Sequence, residues 1–166
     1  MGNGLLIQIG FGGGCHWCTE AVFASLKGVE KVEQGWIASE GDAESFSEAV
    51  IVTFNTEHIS LKDLVHIHLL THSSGSAHKF RQKYRSAVYT FNNNQMSQAK
   101  HILAELADEN AKEYVTQVLP FKAFKLNDEK YQQYYLKHAD KPFCKTYIDP
   151  KLATLRQQYA HYVKAD

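Results

Sequence analysis

Three consecutive glycines separate an apolar run from a cysteine pair in LLIQIGFGGGCHWCTEAVFASLKG, residues 5–28, and this stretch most narrows the possible folds. LLIQIGF (5–11) is short, apolar and bounded by glycine, as a buried strand is. Gly12 to Gly14 allow a sharp turn that keeps side chains away from whatever approaches. CTEAVFASLK (18–27) then has apolar residues at Ala21, Val22 and Leu26, a helical spacing that Gly28 ends.

The following segments extend the pattern. KVEQGWI (31–37) and EAVIVTFN (48–55) read as strands, with the polar ASEGDAESFS as a loop between them. SLKDLVHIHLLTH (60–72) opens on an N-cap serine, carries Asp63 in its first turn and reads as a helix. SSGSAHKFRQK (73–83) reads as coil and SAVYTF (86–91) as a strand. Strand, helix, strand, strand, helix, strand is the split β-α-β order. The fold class expected is therefore an α/β two-layer sandwich with a ferredoxin-like β-α-β-β-α-β core and helices on one face. A C-terminal helical extension follows: a helix over 95–114, a strand at 118–124 and a helix from Asn127 to His138. A Pro-bounded segment then carries Cys144, and a last helix follows Pro150 within a helical tail at 145–166. No repeat or linker interrupts the 166 residues, so one domain spanning 1–166 is expected.

Composition excludes several classes. Eighteen basic residues balance eighteen acidic ones, and no basic stripe marks a nucleic-acid binder. The apolar runs are too short to cross a membrane. MGNGLLIQIG lacks the basic region of a secretory signal, and Leu6 stands where myristoylation needs Ser or Thr. No heptad pattern suggests association, so a monomer is expected. Three cysteines, Cys15, Cys18 and Cys144, are too few for a disulfide scaffold and suit free thiols, a redox pair or metal ligands in the cytoplasm.

Cys15 leaves the glycine turn at a helix N-terminus, where free N–H groups and the helix dipole favour an anion. A thiolate is such an anion and is the reactive form of cysteine. The plainer alternative is a small buried cysteine that fills the turn.

Several blocks together resemble one known family. Gly14-Cys15-His16-Trp17-Cys18-Thr19-Glu20 is similar to the Gly-Cys-Phe-Trp signature of the peptide methionine sulfoxide reductase A family. Glu48-Ala49-Val50 resembles its Glu-Ala-Val, and Tyr84-Arg85-Ser86-Ala87-Val88-Tyr89 its Tyr-Arg-Ser segment. Tyr131-Gln132-Gln133-Tyr134 and Phe143-Cys144 resemble its C-terminal helix and cysteine tail. The resemblance implies an open α/β sandwich that reduces the S epimer of methionine sulfoxide, free or in proteins. It implies no bound cofactor, with reducing equivalents from thioredoxin, or from dithiothreitol in vitro. Carried across, Cys15 is the nucleophile, Glu48 the acid near the sulfoxide oxygen and Tyr84 a hydrogen-bond donor to that oxygen. Trp17 helps form the methyl pocket.

The chemistry is coherent. A sulfoxide sulfur becomes a good electrophile when its oxygen takes a proton, so the thiolate needs an acid opposite it. Glu48 alternates with Val50, Val52 and Phe54 on one strand face, which gives its carboxyl apolar neighbours; a solvated strand-end glutamate is the alternative. Oxygen transfer leaves a sulfenic acid, which condenses with another thiol. Cys18 is close in sequence, whereas Cys144 lies in the Pro-flanked DKPFCKTY, expected to swing in as a mobile tail. Both are expected to take part, with no order assigned.

The chain also departs from the family. His16 stands where Phe is typical; its ring can wall the pocket but can also carry charge. The glycine-rich loop that supplies a second tyrosine is shortened to residues 37–46, so Trp36 or another donor has to compensate. Lys79 falls where an aspartate precedes Tyr-Arg-Ser. Two other readings of the cysteines are a thioredoxin-like disulfide exchanger on Cys15-His-Trp-Cys18 and a zinc-binding interaction domain. His68 and His72 share a helical face and would serve the latter, but are expected to be exposed helix histidines.

Overall fold

Residues 5–72 and 85–164 are described by a computed structural model. Strands β1 (Leu6–Gly12), β2 (Val29–Ala38), β3 (Ser47–Asn55), β4 (Ala87–Thr90), β5 (Gln117–Pro120) and β6 (Ala123–Leu126) form one sheet in the order β5-β4-β1-β3-β2-β6. The inner four, β4-β1-β3-β2, are antiparallel throughout and follow the split β-α-β order. β5 adds to β4 in parallel and β6 to β2 antiparallel, so the sheet extends beyond a four-stranded core on both sides. The helices are α1 (His16–Ala24), α2 (Leu61–Thr71), α3 (Asn93–Asn110), α4 (Tyr134–His138) and α5 (Asp149–Tyr159). Among the described residues no helix is long and apolar enough to cross a membrane.

Period-two alternation divides the sheet between two apolar clusters. Ile9, Phe11, Val50, Val52, Phe54 and Val88 point to the helices and pack with Phe23, Leu64, Ile67, Leu106 and Leu155. Phe11 stacks on Phe23 with centroids 4.6 Å apart. Ile37, Ala49, Ile51, Ala87 and Tyr89 form the opposite cluster with Phe91, Leu119, Phe121 and Phe124. There the buried Arg85 guanidinium donates to the Tyr89 hydroxyl at 3.2 Å and to the carbonyls of Ile37 and Ser45 at 3.2 and 2.9 Å.

Three of the expected elements change form. The strand at 118–124 is two strands on opposite sides of the sheet, which two residues cannot bridge if the sheet is flat, since three residue steps span about 10 Å at most. The sheet therefore curls at this corner: the Phe121 N–H donates to the Thr90 carbonyl on one side and the Lys122 N–H to the Ala38 carbonyl on the other. The helix from Asn127 to His138 becomes a 3-10 turn at Glu129–Tyr131, a left-handed Gln133 (φ 55°) and then α4. Side-chain bonds from Asn127 and Gln132 to Gln34 pin the segment to β2 and prevent a continuous helix. The helix over 95–114 runs instead from Asn93 to Asn110: Asn92 caps its start by accepting the Gln95 N–H at 2.8 Å, and a left-handed Ala111 ends it.

Gly13 has φ +145°, and a Cβ there would lie 2.4 Å from the His72 ring, whereas a Cβ on Gly14 would meet nothing within 4 Å. Gly13→Ala is expected to lower the unfolding free energy in urea by about 1–3 kcal/mol. Gly14→Ala should change it by no more than about 0.5 kcal/mol.

Candidate active site

Antiparallel register brings the chemistry together. Gly12, the last residue of β1, lies opposite Ala49, so Glu48 on β3 stands beside the turn that leads into α1. Cys15 occupies the N-cap position of α1 in an extended conformation (φ −60°, ψ 127°), with no side-chain cap at the helix start. The thiol is half-buried and Glu48 is buried. Oε1 of Glu48 accepts the backbone N–H of His16 at 3.2 Å, and the Nε2 of the same residue lies 3.5 Å from that oxygen. Nδ1 of His16 donates to the Gly35 carbonyl on β2 at 2.7 Å. Trp36, opposite Glu48 in the β2–β3 register, turns its half-buried ring to His16 edge to face at 5.2 Å.

The three thiols differ in environment. Cys15 is held below the ordinary thiol range, chiefly because the Cys18 thiol hydrogen-bonds to it. Burial and the negative charge of Glu48 oppose this, while the backbone N–H groups of Trp17 and Cys18 assist it. Cys18 is pushed strongly upward by donating that bond and by burial, so it stays protonated beside the Cys15 thiolate. Lys151 on α5, anchored on the Thr71 carbonyl, supplies a positive charge to both sulfurs, while burial lowers its own pKa. Cys144 does not lie in a free tail. It is wholly buried in the helix-side core, in a π-helical turn at Cys144–Ile148, and burial raises its thiol. Paired apolar contacts outweigh the flexibility that its flanking prolines suggest.

An aromatic wall stands behind Trp17. Its ring stacks on Tyr134 at 4.0 Å and Tyr131 at 5.7 Å and meets the edge of Phe143 at 5.5 Å. Glu20, one helical turn after His16, holds this wall in place. Its buried carboxylate accepts from the Gln133 and Tyr134 N–H groups at 2.8 and 3.2 Å and from the Gln34 side chain at 2.8 Å. Burial raises the Glu20 pKa, and these three donors pull it back. Only the long-range contacts reveal Glu20 and Tyr134 as site-forming; the one available signal is their place within motif-like blocks.

His68 and His72 are not exposed. His68 is buried with Nε2 on the Gly12 carbonyl at 2.8 Å, and its ring stacks on His72 at 3.9 Å. His72 reaches Ser86 Oγ at 2.9 Å, so the pair supports the glycine turn from behind. Among the described residues no three His, Cys, Asp or Glu side chains converge as metal ligands. Tyr84 and Lys79 lie outside the described residues. Cys15, His16, Trp17, Cys18, Trp36 and Glu48 thus gather at one end of the sheet, with Cys144 buried beneath them.

Similarity to known proteins agrees with this arrangement. The family model for peptide methionine sulfoxide reductase matches residues 7–163. A peptide methionine sulfoxide reductase MsrA of Deinococcus radiodurans is 34% identical over 165 residues, covering 90% of this chain and 80% of the relative. The fold resembles reduced Mxr1 of Saccharomyces cerevisiae, with TM-score 0.71, 21% identity and coverage of 86% of this chain and 91% of that one. It also resembles Mxr1 in complex with Trx2, with TM-score 0.60, 20% identity and coverage of 78% and 84%. A match that spans the glycine turn, the Glu48 strand and the C-terminal segment in one alignment leaves a single assignment: the chain belongs to the peptide methionine sulfoxide reductase family and is an oxidoreductase that returns methionine sulfoxide to methionine.

Proposed function

We propose that Cys15 is the nucleophile for the S epimer of methionine sulfoxide, with Glu48 as the acid and Cys18 as the first resolving thiol. The observation that carries this reading is the half-buried Cys15 thiol at the N-cap of α1, with the buried Cys18 one turn on and the buried Glu48 carboxyl beside the same turn. The Cys15 thiolate takes the oxygen, the sulfoxide S–O bond breaks, and methionine leaves. A proton delivered through Glu48 completes the sulfenic acid. Cys18 then attacks the Cys15 sulfur, the new S–S bond forms and water departs. The Trp17 and Trp36 rings both lie against His16, at 6.4 and 5.2 Å, and contact between an aromatic ring and a methyl-sulfur group contributes about 0.3–1.5 kcal/mol. Tyr84 is assigned the role of donor to the sulfoxide oxygen by its motif.

Cys144 acts after Cys18, since reaching Cys15 or Cys18 requires its turn to leave the core. The structural relative with Trx2 bound supports thioredoxin as the reductant that reopens the disulfide. All three cysteines are free thiols, which suits a reducing cytoplasm, and the thiols themselves carry the electrons without a bound cofactor.

Epimer-resolved turnover with dithiothreitol tests the reaction: the S sulfoxide should be consumed and the R sulfoxide left, and Cys15→Ser should bring consumption to background. Equal consumption of both epimers would sink the stereochemical assignment. Alkylation of Cys15 by iodoacetamide should have its pH midpoint below that of an ordinary thiol. Cys18→Ala should move that midpoint upward, because the donated S–H is lost. After one turnover without reductant, mass mapping should find Cys15 joined to Cys18, and Cys144→Ser should leave that product unchanged. A Cys15–Cys144 bond formed first would reverse the assigned order.

A further inference from the structure

His16 and Glu48 have both left bulk water, at 4% and 8% relative exposure. The Gly35 carbonyl can only accept, so the His16 Nδ1 that meets it at 2.7 Å must carry a hydrogen. That contact sets the ring orientation and leaves Nε2 facing Glu48 Oε1 at 3.5 Å. A bare imidazole nitrogen and a bare carboxylate oxygen repel each other in such a site, whereas one proton between them makes the contact attractive. The backbone N–H of His16 also donates to Oε1, so this oxygen stays with the ring.

We propose that His16 and Glu48 share one proton, and that this pair rather than an isolated carboxyl supplies the proton to the sulfoxide oxygen. The inference rests on the reading of Cys15 and Glu48 given above and makes His16 a positioning and proton-sharing residue. As the Cys15 thiolate gains the oxygen and methionine leaves, the shared proton passes to that oxygen. The thiolate supplies the two electrons and ends as a sulfenic acid. The pair is left as a carboxylate beside a neutral imidazole and recovers its proton from solvent.

Among the described residues the pair is faced by the Cys15 thiolate from the turn, the Trp17 ring from α1, and the Gly35 carbonyl and Trp36 ring from β2. The negative charge of a Glu48 carboxylate works against ionisation of Cys15, and a shared proton relieves that opposition while remaining available to the substrate.

Two measurements decide the matter. In 15N-labelled protein the His16 ring, assigned by loss of its signal in His16→Asn, should keep Nε2 protonated to higher pH than in Glu48→Gln. The midpoint should fall in that variant by about one unit or more. An unchanged midpoint overturns the proposal, whether or not the protein reduces sulfoxide. Single-turnover formation of methionine from excess enzyme should lose rate on the alkaline side as the pair loses its proton. His16→Asn keeps a donor for the Gly35 carbonyl, and it should move that limb to lower pH by about one unit. A lower rate with the limb unmoved makes His16 a wall residue only and overturns the proposal. Failure of the wild type to reduce either epimer would instead overturn the reading of the site, and the nitrogen spectra would still report on the pair.

Discussion

The pairing of β1 with β3, Gly12 opposite Ala49, is the constraint on which the site depends. It joins two chain segments more than thirty residues apart and ends β1 where β3 begins. The sulfur that leaves the glycine turn and the carboxyl that opens the neighbouring strand therefore share one end of the sheet. Six further residue pairs, from Phe11–Val50 to Leu6–Asn55, continue that register, and a one-residue slip would turn Val50, Val52 and Phe54 out of the helix-side core. Glu48 belongs to the same alternating set, so the forces that bury the valines also take its carboxyl out of water.

Around this frame the protein distributes charge unequally among similar groups. Cys15 and Cys18 lie on the first turn of one helix, yet one is lowered and the other raised, because a single S–H bond points from the second to the first. Such an asymmetric pair is suited to a nucleophile and its resolving partner, an arrangement that disulfide exchangers also use; the match to the reductase family over residues 7–163 is what selects sulfoxide chemistry. Glu20 and Glu48 are likewise two buried carboxyls on the helix side with different partners. Glu20 is saturated by three donors and fastens the aromatic wall, whereas Glu48 meets a histidine and faces the thiol.

Much of this was legible beforehand. Glycine punctuation and period-two alternation locate β1 to β4, and the Ser60 cap locates α2, because these signals arise within a few residues of the element they define. The split of 117–126 into two strands was not legible, since it depends on the sheet curling until Thr90 and Ala38 come within reach of adjacent residues. The broken helix at 127–138 was hidden for a similar reason: its backbone donors go to Glu20, more than a hundred residues earlier.

By itself the sequence determined the element order, the strand-to-helix turn that presents Cys15, and the family, because motif residues and local periodicity are written in neighbouring positions. Only the tertiary structure decided that His16 lies against Glu48, that Cys144 is sealed in the core and that His68 lies beneath the turn. Each of these is a contact between elements far apart in the chain, and its geometry follows from sheet register and helix packing rather than from any local preference.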